Sequence, residues 1–190
     1  MRPTDYPKMV FSFHAGWDEL RGIHPSIVKV FFTLVLPFSL VPAVMIILAG
    51  TLYGDYYASG VNPKRWYEVA SLFFLVELLT VPLMALVIQA TAKDRVGDVN
   101  FLDSYLVAAI APIPLWVSAL SLFVPNILFN VIIAVIGLLA SGSLLYHGIG
   151  TILGISENLE AQDISLKVFA VGAIVWAFLI ALVVWPIMGM

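Results

Sequence analysis

Few residues of this sequence carry groups that could do chemistry in an apolar environment, and Glu77 is the most prominent of them. It lies near the middle of a long apolar run, where an ionised carboxylate is costly unless it is paired or hydrated. Glu77 could be a proton or cation site, or a neutral, hydrogen-bonded group that joins helices. The second hypothesis is favoured, because no basic residue stands at a matching depth in another apolar run.

Ser143 and His147 are spaced one helical turn apart and could form a hydrogen-bonded nucleophile and base. An intramembrane serine hydrolase would also need an oxyanion site and a third orienting group, and the sequence offers neither. His147 near a helix C-terminus is more typical of a side chain that complements the helix dipole. We therefore expect no catalytic residues and no enzymatic activity.

The acidic residues Glu157, Glu160 and Asp163 could bind a cation together with His147. Three acids in a short loop are more often a solvated surface. The sequence contains no cysteine, HExxH motif, phosphate loop or dinucleotide fingerprint. It therefore predicts neither a metal site nor a cofactor.

Composition places these residues in a membrane protein. The 190 residues are 62% hydrophobic and 11% charged, with a mean hydropathy of +1.03, whereas a soluble domain has roughly 25% charged residues. The apolar excess must face lipid. No basic block is present that could neutralise a run of phosphates, so nucleic-acid binding is not expected.

Five apolar runs are long enough for a helix to cross a hydrocarbon core of about 30 Å. They cover roughly residues 28–52, 67–91, 104–123, 127–151 and 167–187. Polar loops separate them, with Pro125 predicted to start the fourth helix and Asp163 or Ser165 to cap the fifth. The predicted fold is an all-α polytopic bundle of five transmembrane helices that forms one domain, residues 28–190.

Residues 1–27 form a separate N-terminal segment, in which Val10, Phe13, Trp17 and Leu20 recur at helical spacing. This pattern predicts a short amphipathic helix at the membrane interface. A disordered tail is the alternative. The segment lacks the cleavage site of a signal peptide.

Lysine and arginine prefer cytoplasmic loops, and their distribution predicts the orientation of the chain. With five spans, seven of the nine basic residues fall on the side of the N-terminus and two on the other. The seven are Arg2, Lys8, Arg21, Lys29, Lys93, Arg95 and Lys167, and the two are Lys64 and Arg65. We expect a cytoplasmic N-terminus and a C-terminus on the far side.

Prolines and small residues predict the shapes and contacts of the helices. Proline removes a backbone donor, so kinks are expected within three spans, and in transporters such broken helices build binding sites. Small residues along the fourth span permit close helix packing. The prolines are Pro37, Pro42, Pro82, Pro112 and Pro114, and the packing stripe is Ala134, Gly137 and Ser141.

The order of these features resembles a prokaryotic member of the Ypt-interacting (Yip, Rab-interacting) protein family. The segment Ser143–Ile155 (SLLYHGIGTILGI) is similar to the end of that family's fourth helix, and Tyr105, Pro112 and Pro114 resemble its third. FSFHAGWDEL resembles its N-terminal interfacial motif, although His14 and Ala15 stand where relatives often have proline. In the fourth helix, Gly150 also stands where relatives can have proline. The aspartate, tyrosine, glycine, proline motif of eukaryotic relatives is not recognisable, so contacts with Rab-type GTPases are not implied.

The resemblance implies a multi-pass protein of the cytoplasmic (inner) membrane of a prokaryote. The expected function is non-enzymatic, through interaction with lipid or a partner and organisation of the membrane. Expected contacts are the lipid bilayer, protein partners or further copies of the chain. The alternative function is a small transporter or channel that uses Glu77 in a proline-kinked helix bundle.

Overall fold

Five long apolar helices confirm the predicted architecture. The structure, a computed structural model, describes residues 25–155 and 158–189, and every regular element within them is helical. The membrane spans, called the first to fifth spans below, are Ile27–Tyr57, Pro63–Arg95, Phe101–Phe123, Ile127–Ile152 and Leu159–Met188. The interfacial helix predicted for the N-terminal segment lies almost entirely outside the described residues.

The helices are longer than the apolar runs because their polar ends continue the helical hydrogen bonding. At the starts of three helices, an asparagine side chain accepts a hydrogen bond from a backbone N–H group. Asn62 accepts from Lys64 (2.9 Å), Asn100 from Leu102 (3.0 Å) and Asn126 from Phe129 (3.0 Å). Two predictions about helix ends were wrong. Pro125 precedes the Asn126 cap and the helix starts at Ile127. The fifth helix, Asn158–Met188, starts before Asp163 and Ser165, so neither residue caps it.

The prolines act differently from one span to the next. A π-helical turn, Phe31–Val35, comes directly before the α-helix Leu36–Tyr57 that contains Pro37 near its start. The helices that contain Pro42 and Pro82 continue through both residues.

Pro112 interrupts the third span, because proline cannot donate to the preceding helical turn. The span consists of an α-helix Phe101–Ile110, a turn at Ala111 and Pro112, an α-helix Ile113–Ser118 and a 3₁₀ segment Ala119–Phe123. Pro114 lies in the first turn of the second α-helix, where its missing N–H costs little.

The second span lies at the centre of the bundle and packs against the first, third and fifth spans, while the fourth packs against the third and fifth. Two buried apolar clusters hold the bundle together. The larger includes Leu34, Ile88, Ile149 and Ile164. The smaller surrounds Trp66 near the start of the second span and joins it to the first and fifth spans.

Polar contacts at the ends of the helices agree with an alternating path of the five spans. Arg95, at the end of the second span, forms an ion pair of 2.8 Å with Asp163, at the start of the fifth. At the opposite end, the Tyr57 hydroxyl donates to the Val124 carbonyl at 3.2 Å. The second and fourth loops therefore share one end of the bundle, and the first and third loops share the other.

Candidate functional site

A cavity of about 660 Å³ lies between the helices and is lined by residues of all five spans. Aliphatic and aromatic side chains make up most of its wall. Glu77 carries the only formally charged side chain among the described residues that line it. A space of this size and composition is typical of a site for an apolar small molecule, since such sites measure about 300–1,000 Å³.

The cavity opens sideways between the fourth and fifth spans. Of the residues that line it, five are exposed, and all five belong to the first turns of the fourth span or the last turns of the fifth: Ile127, Val131, Ile180, Val184 and Met188. Towards the other end the two spans touch, because a Cβ atom on Gly142 would lie 2.9 Å from the Phe169 ring. The exposed part of the cavity wall therefore lies on the fourth and fifth spans, at the end of the bundle that carries the third loop.

Glu77 is buried in the cavity wall, with 4% of the residue exposed. The indole N–H of Trp116, which is equally buried in the third span, lies within hydrogen-bonding reach of the Glu77 side chain. The backbone carbonyl of Glu77 accepts a hydrogen bond of 2.7 Å from the Thr80 hydroxyl. The Oε2 atom of Glu77 has no hydrogen-bond partner in the described structure. The carboxyl group thus joins two spans and keeps one oxygen available.

The sequence analysis did not identify Trp116 as the partner of Glu77. Ser118, two residues after Trp116, also has a hydroxyl group that could donate to Glu77. In the structure this hydroxyl donates to the Leu115 carbonyl at 2.6 Å instead. The sequence feature that could have indicated Trp116 as this partner was its position in the third span, which Pro112 interrupts. A buried tryptophan usually needs an acceptor for its N–H, and Glu77 offers a strong one.

Asn130 is a second polar residue of the cavity that the sequence analysis missed. Its Nδ2 atom donates to the Tyr57 hydroxyl at 2.9 Å and to the Val124 carbonyl at 3.3 Å. Its Oδ1 atom is buried and has no hydrogen-bond partner within the described chain. An amide inside a strongly apolar helix was the available signal, because such groups in membrane helices usually bind across to a neighbour.

The stripe Ala134, Gly137 and Ser141 faces the third span and the cavity. Gly137 packs against Ser118 and the Pro114 carbonyl, while Ala134 and Ser141 line the cavity. The Ser141 hydroxyl is buried and has no partner among the described residues. The stripe therefore contributes both a close helix contact and a polar atom of the cavity wall.

Ser143 and His147 do not form the hydrogen bond of a nucleophile and base. His147 Nδ1 lies 2.8 Å from the backbone carbonyl oxygen of Ser143, and neither residue lines the cavity. Asp163, which the sequence analysis considered as a cation ligand, is paired with Arg95 and Lys167. Glu157 lies outside the described residues. Among residues 25–155 and 158–189, no three His, Asp or Glu side chains are grouped so that they could hold a metal ion.

Comparison with known proteins places this architecture in a family. No curated protein and no solved structure matches the chain significantly. The model of the Yip1 domain matches residues 8–186, which include all but the last two residues of the five spans. The chain therefore belongs to the Yip1 domain family.

Proposed function

We propose that this protein is a non-enzymatic membrane protein that binds lipid between its helices and so contributes to the organisation of the membrane. The observation that carries the proposal is the apolar cavity whose exposed wall residues lie on the fourth and fifth spans. Because this opening lies between two membrane spans, we infer that it faces the bilayer. An acyl chain can pass through this opening without crossing water. Its transfer from the bilayer exchanges one apolar environment for another, so the fit to the cavity decides the affinity.

The proposed location is the cytoplasmic membrane of a prokaryote, with the N-terminus in the cytoplasm. The excess of lysine and arginine on the side of the N-terminal segment supports this orientation. In it, the lateral opening of the cavity lies in the outer half of the bilayer. Exposed apolar residues such as Ile174 and Trp185 on the fifth span provide a surface for surrounding lipid, a protein partner or another copy of the chain.

A phospholipid with a photoactivatable acyl chain tests the proposal. The full chain is reconstituted in vesicles that contain this probe, irradiated, and digested for mass spectrometry. We expect cross-links at cavity residues such as Leu138 and Val168, besides those at the outer surface. Cross-links confined to the outer surface would contradict lipid binding in the cavity.

A pair of variants on the fifth span controls for surface labelling. Gly172 lines the cavity, and a Cβ atom there would make only ordinary contact with Met84, at 3.6 Å. Gly172→Phe should therefore fill the cavity and remove the internal cross-links. Ile174→Phe adds bulk to a residue that is 70% exposed and should leave them unchanged.

A transporter or channel is the second candidate function. The unpartnered Oε2 atom of Glu77 in the cavity wall favours it, because carboxyl groups inside membrane bundles often serve ion or proton pathways. The two functions differ in whether the reconstituted protein moves ions.

A further inference from the structure

We propose that the cavity selects a lipid whose polar end is a free hydroxyl group, and that Glu77 accepts the hydrogen bond from that hydroxyl. The inference rests on the proposed function, since it requires that lipid occupies the cavity. It adds the chemical class of the ligand and the residue that recognises it.

Unpartnered polar atoms are concentrated in this cavity. The described residues contain four buried side-chain polar atoms without a hydrogen-bond partner, and those of Glu77, Asn130 and Ser141 belong to residues that line it. The fourth, in Ser104, does not. Buried polar atoms are nearly always hydrogen-bonded in native proteins. Three of them in one apolar cavity indicate a ligand that brings polar groups of its own.

The unpartnered atoms favour a ligand that donates hydrogen bonds. Asn130 Oδ1 and an ionised Glu77 only accept hydrogen bonds, whereas the Ser141 hydroxyl and a protonated Glu77 can both accept and donate. A ligand hydroxyl also donates and accepts, so it matches all of these groups. The indole N–H of Trp116 is placed to donate to the Glu77 side chain. A ligand hydroxyl would complete the hydrogen bonding of a carboxyl group that the protein has positioned but not satisfied.

The charge of the cavity excludes an anionic polar end. No lysine, arginine or histidine is among the described residues that line the cavity. A buried phosphate or carboxylate would therefore lack a counter-charge and would lie near the carboxyl group of Glu77. Burial of an unpaired charge is strongly unfavourable, so a phospholipid headgroup does not belong at this position.

An ammonium group also fits less well than a hydroxyl. It brings a full charge, and its burial also requires that Glu77 is ionised, so two charges would have to leave water. A hydroxyl needs a single acceptor and carries no charge. A neutral lipid such as a diacylglycerol meets both requirements, because its chains suit the apolar wall and its free hydroxyl suits Glu77.

Three photoactivatable probes test the selectivity in phosphatidylcholine vesicles that contain the full chain. They are a diacylglycerol, its methyl ether at the free hydroxyl, and an analogue with an amine in place of that hydroxyl. We expect the diacylglycerol to label the cavity residues at least about tenfold more strongly than the ether, because methylation removes the donor and leaves a buried acceptor unpaired. Equal labelling by these two probes, or stronger labelling by the amine, would overturn the inference while lipid binding in the cavity still stands. The absence of cavity labelling by every probe would overturn the proposed function as well.

Variants of two glutamates assign the recognition to Glu77. Glu77→Met should abolish the preference for the hydroxyl over the ether, and Glu77→Gln, which keeps an oxygen acceptor, should retain most of it. Glu68→Met is the matched control, since Glu68 lies on the same span but its side chain is exposed beside Lys64 and Arg65. An unchanged preference in folded Glu77→Met would contradict the assignment. If Glu77→Met does not fold, loss of the preference in folded Glu77→Gln contradicts it instead.

Discussion

Gly137 and Ser118 are in such close contact that the fourth span has no room for a side chain at this position. A Cβ atom on Gly137 would lie 2.9 Å from the Ser118 Cβ and 3.0 Å from the Pro114 carbonyl oxygen. The contact joins the fourth span to the second α-helix of the third span, Ile113–Ser118. In lipid, where no hydrophobic force drives helices together, close approach of this kind supplies the packing energy.

Enlargement of Gly137 should therefore destabilise the bundle. We expect Gly137→Leu to lower the free energy of unfolding by about 1–3 kcal/mol, as overpacking of a close contact does. The measurement is thermal or denaturant unfolding of the purified protein in detergent. Leu138→Ala, a truncation at the edge of the cavity, should cost less.

Gly150 provides the matched control for this substitution. It lies on the same helix, and a Cβ atom there would meet nothing within 4 Å. Gly150→Leu should leave the stability unchanged or raise it slightly, because leucine has a higher helix propensity than glycine. Equal unfolding midpoints for Gly137→Leu and Gly150→Leu would show that the contact with Ser118 is not important.

The hydrogen bond between Trp116 and Glu77 should be measurable by a double-mutant cycle. Trp116→Phe removes the donor and should lower the free energy of unfolding by about 1–3 kcal/mol, because it leaves a buried acceptor unpaired. In a Glu77→Leu background the same change should cost less, since the acceptor is already gone. Additive effects of the two substitutions would indicate that they do not interact. Trp176→Phe, in another part of the cavity wall, controls for the loss of ring volume.

Glu77→Gln separates a structural carboxyl from one that titrates during transport. Glutamine keeps the shape and an oxygen acceptor for Trp116, so we expect the thermal midpoint of the variant to stay close to that of the wild type. We also expect the wild-type protein to carry no flux of protons or common cations into proteoliposomes above that of empty liposomes. A robust flux that Glu77→Gln abolishes in a folded protein would establish the transporter instead.

The two ends of the chain should lie on opposite sides of the membrane, because five spans cross it. The chain has no cysteine, so single cysteines at residues 2, 59 and 190 can be labelled without background. We expect residues 59 and 190 to react with an impermeant reagent from outside the cell, and residue 2 only after permeabilisation. Reaction of both ends from one side would contradict the count of five spans.

The ion pairs of Asp163 should contribute little to stability. Asp163 lies 2.8 Å from both Arg95 and Lys167, and all three side chains are more than two-fifths exposed. Solvent and salt screen such pairs, so Asp163→Asn should lower the free energy of unfolding only slightly at low salt and by even less at high salt. Asp94→Asn, at an exposed position beside Arg95, is the control. A large effect that does not depend on salt would show that the pair is shielded from solvent.

The number of helices and their approximate limits could be predicted from the sequence. A helix that crosses a bilayer must be long and apolar, since every backbone polar group in lipid has to be satisfied within the helix. This requirement acts on each segment separately. A kink at Pro112 was also predicted, but the sequence predicted the same at Pro42 and Pro82, where the helices continue.

Limits at the ends of helices were less predictable, as the fifth span shows. Asp163 and Ser165 have the composition of helix caps, but the helix begins earlier, at Asn158. There the polar segment stays helical, and Asp163 pairs with Lys167 one turn away and with Arg95 of another span. Residues with the composition of a cap also occur inside helices, so composition alone does not decide between the two positions.

Only the tertiary structure decided what the polar residues inside the membrane touch. From the sequence, Glu77 was a carboxyl group whose ionised form is unfavourable in an apolar environment and which had no evident partner. Asn130 was not singled out. Their surroundings depend on how five helices rotate and tilt against each other, and the apolar pattern constrains this weakly because lipid and protein interior are equally apolar. In the structure the fourth span packs closely at Gly137 and Gly142 against the third and fifth spans. The same arrangement of helices brings Trp116 to Glu77 and leaves the cavity open between the fourth and fifth spans.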